Sequence, residues 1–252
     1  MPAAETADRT MDPKEVARFE RMAAEWWDAS GKFRPLHQIG PVRLTFIRDQ
    51  VCTRLGREPQ QDRPLAGLTA LDIGCGGGLI AEPVARLGAT VTGIDPGELN
   101  IGIARRHAAA QGLAIDYQVA RAEDLAEAAA MFDVVLSLEV IEHVPEPAAF
   151  VATCARLVKP GGLLILSTLN RTLKSFALAI VGAEYVLRWL PRGTHQWDRF
   201  VTPEELQLYA EAAGLTVCDA RGMVYNLLSD RWSLADDMDV NFLMAMGRAA
   251  AS

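Results

Sequence analysis

From Leu68 to Ser167 the sequence alternates short apolar runs with segments of helical periodicity, and this order restricts the fold more than any other feature. A chain in which strands and helices alternate forms a mostly parallel sheet with helices on both faces, because each crossover lays a helix against the sheet. We therefore predict a doubly wound α/β fold. The predicted strands are 69–73, 90–95, 115–119, 132–137 and 162–167, and the crossover helices include 78–87, 99–111 and 147–157.

The first predicted strand runs into a glycine-rich loop, Asp72-Ile73-Gly74-Cys75-Gly76-Gly77-Gly78. Glycines let a backbone approach a ligand closely because they carry no Cβ. A dinucleotide loop of the form G-x-G-x-x-G would begin at Gly74 and would need a glycine at position 79, where this chain has Leu79. The glycine comes one residue earlier, at Gly78. The spacing D-x-G-x-G-x-G resembles the loop of S-adenosylmethionine-dependent methyltransferases, so we predict that Gly74 and Gly76 bind that cofactor.

Asp95 ends the second predicted strand, 21 positions after Gly74. A carboxylate at that place can accept hydrogen bonds from both ribose hydroxyls of an adenosine. NAD and S-adenosylmethionine share this ribose, so Asp95 indicates an adenosine cofactor without saying which of them it is. The glycine spacing distinguishes between these two cofactors. Glu123-Asp124 follows the third predicted strand, where we expect a loop beside the adenine.

Three side chains suited to catalysis follow the fourth predicted strand, namely Glu139, Glu142 and His143. They lie at the carboxyl edge of the sheet, where such folds bind their ligands. If the segment is helical, offsets of three and four residues place all three on one face. His143 is a candidate general base, since histidine titrates near neutral pH, and Glu142 is a candidate catalytic carboxylate. Alternatively, the carboxylates only favour a helix N-terminus and His143 packs nearby.

The composition restricts the function classes. The 252 residues carry a net charge of −7, and an acidic chain lacks the basic surface that general binding of nucleic acid requires. The cysteines form no C-x-x-C pair, which speaks against a zinc site or a disulfide framework and favours a reducing cytosol. They are Cys52, Cys75, Cys154 and Cys218.

The region before the alternating pattern is predicted to be helical. Residues 1–11 are polar, lack the apolar core of a signal peptide and are expected to be a disordered tail. Residues 12–66 are expected to form an N-terminal helical cap and a Pro-rich linker. One helix is predicted from Asp12 to Gly31, and a second from Pro41 to Leu55.

Residues 67–252 are predicted to form the cofactor-binding domain, with an apolar helical insertion at 171–200. The apolar stretch 175–190 is too short to span a bilayer. It could lie in a membrane surface, or it could be a buried helix over the active site. A helix at 203–213 and strands at 215–220 and 240–246 are expected to complete the domain.

Several segments resemble the ubiquinone biosynthesis O-methyltransferases, over nearly the whole chain from about Phe19 to Phe242. The glycine loop is common to many methyltransferases, whereas the Trp-Trp and Gly-Ala-Glu-Tyr segments are much more specific. The resemblance implies a class I, Rossmann-like methyltransferase fold. The segments that carry it are Trp26-Trp27-Asp28, Phe33-Arg34-Pro35-Leu36-His37, Glu139–Pro145, Ser167–Arg171, Val181–Tyr185 and Gly193-Thr194-His195.

This resemblance implies methylation of a phenolic hydroxyl on a polyprenylated ring, including the last step from demethylubiquinol to ubiquinol. By the family's pattern, Arg43, Gly74, Asp95 and Leu138 hold the cofactor, although the family often has Met at the place of Leu138. The related eukaryotic enzymes imply Mg²⁺ on Glu139, Glu142 and His143. Two carboxylates suit this cation, whereas histidine is an unusual ligand for it.

The substrate class also implies a cytoplasmic protein that contacts the inner membrane peripherally, with a possible association with other ubiquinone biosynthesis proteins. His37 and His195 either line the substrate pocket or pack elsewhere. Three other functions remain open: a methyltransferase of another small phenol or lipid or of a quinone-ring carbon, a nicotinamide oxidoreductase, and a non-catalytic lipid carrier. Leu79 disfavours the oxidoreductase, and the intact glycine loop with Asp95 disfavours the carrier.

Overall fold

The structure is a computed structural model that describes residues 13–176, 197–226 and 229–251. The predicted tail at 1–11, most of the apolar stretch 175–190 and His195 lie outside the described residues. The helices of the described part are α1 (Pro13–Glu20), α2 (Arg34–Leu55), α3 (Ala81–Arg86), α4 (Glu98–Ala110), α5 (Ala122–Glu127), α6 (Pro147–Arg156), α7 (Leu173–Ser175) and α8 (Pro203–Ala212). The strands are β1 (Thr69–Ile73), β2 (Thr90–Asp95), β3 (Asp116–Val119), β4 (Phe132–Leu138), β5 (Val158–Leu169), β6 (Leu215–Asn226), β7 (Arg231–Ala235) and β8 (Asn241–Arg248).

These strands form one sheet in the order β3-β2-β1-β4-β5-β8-β6-β7. The pairs from β3 to β5 are parallel, and β8, β6 and β7 extend the sheet with antiparallel pairs. The order reverses between β1 and β4, where an open α/β sheet leaves a crevice for a ligand. The predicted doubly wound, mostly parallel fold is confirmed.

The sheet is covered by helices on both faces. Successive residues of a strand point to opposite faces, so Ala70 packs with one cluster and Leu71 with the other. The first cluster contains residues of α2, α3 and α4, and the second contains residues of α5, α6 and α8. Because Phe46, Ile47 and Val51 of α2 belong to the first cluster, α2 is part of the helical layer of the sheet.

The N-terminal segment differs from its prediction. The helix α1 ends at Glu20, and a short 3₁₀ turn at Ala23–Glu25 follows in place of one helix to Gly31. The helix α2 begins at Arg34 rather than at Pro41, because Pro35 in its first turn is a favourable start and Pro41 is tolerated inside it. Met22, Ala23, Trp26 and Phe33 form a small buried cluster of their own.

Two elements were not predicted. Residues 122–127 form α5 where a loop beside the adenine was expected, and β7 pairs with an extended β6 at the edge of the sheet. Within the three described ranges, no helix is long and apolar enough to cross a bilayer.

Candidate active site

The glycine loop leaves β1 and passes under the N-terminal segment. Gly74 and Gly76 have φ angles of 72° and 52°, in the left-handed region that glycine tolerates best. A Cβ on Gly74 would lie 2.5 Å from Val140, and one on Gly76 would overlap the ring of Trp26. The loop therefore needs glycine both for its conformation and for the close approach of its neighbours.

Asp95 lies beside this loop and is 8% exposed. Its Oδ1 accepts hydrogen bonds from Gly97 N at 2.8 Å and Asn100 Nδ2 at 3.0 Å. Its Oδ2 accepts one from Gly76 N at 3.1 Å. Burial raises the pKa of Asp95, whereas these three donors act in the opposite direction. The structure thus joins the predicted residues Gly76 and Asp95 directly.

A cavity of about 260 Å³ opens at the carboxyl ends of β1, β2 and β4. The N-terminal segment closes it with apolar side chains that include Phe19, Met22 and Phe33. All of the predicted site residues line this one cavity: Arg43, Gly74, Gly76, Asp95, Leu138, Glu139, Glu142 and His143. Their roles as cofactor, catalytic or metal residues stay predictions.

Arg43 and Glu139 form a partly buried ion pair in the cavity wall. Arg43 of α2 lies with its Nη2 2.5 Å from Oε1 of Glu139, and Arg43 is 5% exposed. Ser167 Oγ donates a second hydrogen bond to the same Oε1 at 2.8 Å. The φ of Glu139 is 57°, an uncommon conformation for a residue other than glycine. With this backbone conformation just after β4, the carboxylate of Glu139 meets the guanidinium of Arg43, which comes from α2.

Glu142 is buried deeper than Glu139 and differs from it in electrostatics. Its Oε2 accepts a hydrogen bond from Thr168 Oγ1 at 3.0 Å, and its Oε1 has no hydrogen-bond partner among the described residues. Burial, and then the negative charge of Glu139, raise the pKa of Glu142 well above its ordinary value. A carboxyl group whose pKa is raised keeps its proton to higher pH than usual, and in that form it can donate a hydrogen bond.

His143 pairs with a carboxylate that the sequence did not single out. Its Nδ1 lies 2.9 Å from Glu15 Oε2 of α1, and the ring of Phe19 meets it edge-on at 5.3 Å. The hydrogen bond to His143 lowers the pKa of Glu15 more than burial raises it. Helical spacing could have found Glu15, because at an offset of four it shares a face of α1 with the cavity residue Phe19.

The helical arrangement expected for Glu139, Glu142 and His143 is wrong, because only Ile141–His143 form a 3₁₀ turn and Glu139 is left-handed. Across the part of the chain that is described, no group of three or more His, Cys, Asp or Glu side chains is arranged to hold a metal ion. The donors also have protein partners: Arg43 for Glu139, Thr168 for Glu142, Glu15 for His143. This set does not fit Mg²⁺.

Other predicted residues have separate places. The carboxylate of Asp124 pairs with Arg121 at the start of α5, while Glu123 lines the cavity. Leu138 ends β4 opposite Ser167 of β5. The ring nitrogen Nε2 of His37 lies 2.8 Å from the carbonyl oxygen of Trp26, so His37 packs against the N-terminal segment and does not line the cavity.

Comparisons with known proteins identify the family and the fold. Residues 71–166 match a family described as a methyltransferase domain. The chain is 56% identical over 246 residues to the ubiquinone biosynthesis O-methyltransferase of Rhizobium leguminosarum bv. trifolii (strain WSM2304), which covers 98% of each chain. It is 57% identical over 244 residues to the protein of that name from Sinorhizobium fredii (strain NBRC 101917 / NGR234), which covers 97% of this chain and 98% of the relative.

Among solved structures, the fold is similar to magnesium protoporphyrin IX methyltransferase from Synechocystis PCC 6803 with bound SAH. The TM-score is 0.63 at 22% identity, and the match covers 92% of this chain and 95% of the other. That likeness shows the fold, and the full-length identity to the relatives shows the family. The chain belongs to the ubiquinone biosynthesis O-methyltransferases, which are S-adenosylmethionine-dependent enzymes of the class I, Rossmann-like fold.

Proposed function

We propose that this chain transfers a methyl group from S-adenosylmethionine to a phenolic hydroxyl of a polyprenylated ring. Its acceptors are demethylubiquinol, which becomes ubiquinol, and a polyprenyl-hydroxyphenol, which becomes a polyprenyl-methoxyphenol. The observation that carries the proposal is the identity of 56% over 98% of both chains to a ubiquinone biosynthesis O-methyltransferase.

The residues at the cavity fit the cofactor. When bound, S-adenosylmethionine would supply the methyl group of its sulfonium as the electrophile, and S-adenosylhomocysteine would be the leaving group. Asp95 accepts hydrogen bonds from the ribose, and Gly74 and Gly76 keep side chains away from the ligand. Arg43 and Leu138 complete the cofactor side of the cavity.

His143 takes the proton of the phenol. A phenolic hydroxyl titrates near pH 10, so it needs a base to become a nucleophile at neutral pH. With its Nδ1 held by Glu15 at 2.9 Å, the ring has Nε2 left to accept that proton. The O–H bond of the acceptor breaks and its proton passes to Nε2 of His143, where the carboxylate of Glu15 stabilises the imidazolium. The O–CH₃ bond would form as the S–CH₃ bond breaks, with S-adenosylhomocysteine as the leaving group.

Glu142 supports the acceptor as a neutral acid. A protonated carboxyl group donates a hydrogen bond, and burial next to Glu139 favours that form because it raises the pKa of Glu142. The ion pair of Arg43 with Glu139 leaves that wall of the cavity without a net charge. The apolar residues Phe19, Met22 and Leu36 then offer a surface for the ring and its prenyl chain.

The prenyl chain places the acceptor in a membrane, so we extend the proposal to peripheral contact with the inner membrane through residues 171–192. Leu173 and Phe176 are 80% and 43% exposed at the start of this region, beside Lys174. A flotation assay with anionic vesicles measures the contact, and Leu173→Ser with Phe176→Ser should reduce it. If the wild type stays with the unbound fraction, membrane contact is excluded. Association with other enzymes of the pathway is tested by co-purification from cells.

The function is tested by transfer of an isotopically labelled methyl group to a catechol that carries a prenyl chain. Mass spectrometry should find the label on a phenolic oxygen, and removal of the prenyl chain should raise KM. A product labelled on a ring carbon would identify a C-methyltransferase. Failure to label any polyprenylated phenol, with S-adenosylhomocysteine still bound, would refute this choice of acceptor.

A further inference from the structure

Asn100 is a buried amide that the proposed reaction does not use. It lies in the first turn of α4, five residues after Asp95, and is 2% exposed. Both polar atoms of its side chain are satisfied. Its Oδ1 accepts a hydrogen bond from Trp26 Nε1 at 2.9 Å, and its Nδ2 donates one to Asp95 Oδ1 at 3.0 Å. Asn100 thus connects the N-terminal segment to the carboxylate proposed to bind ribose.

The two partners allow the amide only one orientation. An indole N–H can only donate, so it requires the amide oxygen, and a carboxylate can only accept, so it requires the amide nitrogen. A half turn of the amide would set its oxygen against Asp95 and its nitrogen against Trp26. Trp26 and Asp95 therefore select the same orientation of the Asn100 amide, and Trp26 holds it there from the side away from Asp95's oxygen.

Close packing leaves little room for a different arrangement. Trp26 stacks on Phe33 with 3.8 Å between ring centroids and an angle of 7°. It also packs closely against Gly76 and Gly77, where an added Cβ would lie within 2.5 Å of its atoms. At Gly97, an added Cβ would lie 2.9 Å from both Asn100 Nδ2 and Asp95 Oδ1. Side chains and backbone thus hold the connection from several sides.

We propose that Asn100 and Trp26 are positioning residues that hold the carboxylate of Asp95 in the orientation that receives the ribose hydroxyls of the cofactor. This inference rests on the proposed role of Asp95. The amides of Gly97 and Gly76 also donate to Asp95, but they belong to the backbone and remain after any side-chain change. Asn100 is the one of these three donors to Asp95 that belongs to a side chain, so a substitution can remove it. Through Trp26, the N-terminal segment contributes to the affinity and selectivity for a ribose with free hydroxyls.

The test compares S-adenosylhomocysteine with its 2′,3′-dideoxy analogue, by calorimetry or competition. Asn100→Ala removes the donor to Asp95, and Trp26→Phe keeps an aromatic ring and removes the N–H. One hydrogen bond to a charged group corresponds to about a 10- to 100-fold change in affinity. We expect S-adenosylhomocysteine to bind about 10- to 100-fold more weakly to Asn100→Ala, and a smaller loss in the same direction for Trp26→Phe. The affinity for the dideoxy analogue should not change.

A double-mutant cycle gives the second measurement. In the Asp95→Ala background, Asn100→Ala should cost no further affinity, because its effect passes through the missing carboxylate. Trp232→Phe is the matched control, since this indole N–H has no hydrogen-bond partner in the described part of the chain and lies on β7. It should bind both ligands as the wild type does.

The outcomes separate the inference from the function on which it rests. Equal losses for both ligands, or an additive loss in the Asp95→Ala background, would show a merely structural role and overturn the inference. If Asn100→Ala binds like the wild type while Asp95→Ala does not, only the positioning role fails. If Asp95→Ala also binds like the wild type, the proposed cofactor contact fails and the inference fails with it.

Discussion

Asp72, the residue that begins the glycine-loop motif, should make the stability of this protein fall as pH rises. Its carboxyl group is buried, and its Oδ2 has no hydrogen-bond partner among the described residues. Burial, helped by the negative charge of Asp95, raises the pKa of Asp72 to about 7, although a hydrogen bond from the backbone of Ala81 lowers it. We predict that Asp72→Asn stabilises the protein relative to the wild type, and does so increasingly from about pH 4 to pH 7.

The sign follows from which state loses the proton first. Below the unfolded pKa of 3.8, both states of Asp72 are protonated and the group contributes nothing. Between 3.8 and about 7 the unfolded chain ionises first, so the folded state progressively loses stability. The difference of about three pH units corresponds to about 4 kcal/mol at 1.36 kcal/mol each, a loss that stays constant at higher pH. Asn cannot ionise, so the variant lacks this loss.

Urea unfolding at several values from about pH 5 to about pH 8 measures the effect as the difference in unfolding free energy between variant and wild type. This difference should increase by on the order of 1–3 kcal/mol across the range, which covers the later part of the titration. A difference that stays constant with pH would refute the reasoning.

Asp133→Asn is the matched control, because it changes another carboxylate of the sheet whose pKa is shifted the other way. Burial raises the pKa of Asp133, but hydrogen bonds from Thr69 and Lys159 bring it below the ordinary value. The stability that its charge contributes is present above the unfolded pKa and is lost only as pH falls through the lower folded pKa. The effect of Asp133→Asn should therefore be constant from about pH 5 to about pH 8.

Three further predictions concern the cavity. His143→Ala should lower kcat by about 10²- to 10⁴-fold with an unchanged Kd for S-adenosylhomocysteine, and full activity would contradict its role as base. Under the proposed role of Glu142 as a neutral acid, Glu142→Gln replaces one neutral side chain by another and should change the unfolding free energy at neutral pH by less than about 1 kcal/mol; a loss above about 3 kcal/mol would show that the wild-type group is ionised. Arg43→Ala should cost about 3–5 kcal/mol of stability, because it leaves the carboxylate of Glu139 without its buried cation, and a cost near zero would contradict that pairing.

The fold and the wall of the cavity formed by the glycine loop and Asp95 could be predicted because their signals are local. A parallel sheet produces short apolar runs at regular intervals, and the glycine loop with Asp95 spans only 24 residues. The order of the strands then brings their carboxyl ends together whatever the details of packing.

The partners of the catalytic side chains are distant in sequence, and local patterns do not identify them. Arg43 and Glu139 are 96 residues apart, and Trp26 and Asn100 are 74 apart. The helix α5 was missed for a different reason: its carboxylates suggested a ligand-binding loop, although alanine, leucine and glutamate favour a helix. At Glu139 the tertiary ion pair prevails over the helical preference expected for this segment.

The central claim is that the cavity at the ends of β1, β2 and β4 binds S-adenosylmethionine through Asp95. Calorimetry with S-adenosylhomocysteine, on the wild type and on Asp95→Ala, tests it most directly. We predict saturable binding to the wild type, a rise in its melting temperature with ligand concentration, and a large loss of affinity in the variant. Absence of binding to the folded wild type, or equal binding to both proteins, would contradict the account.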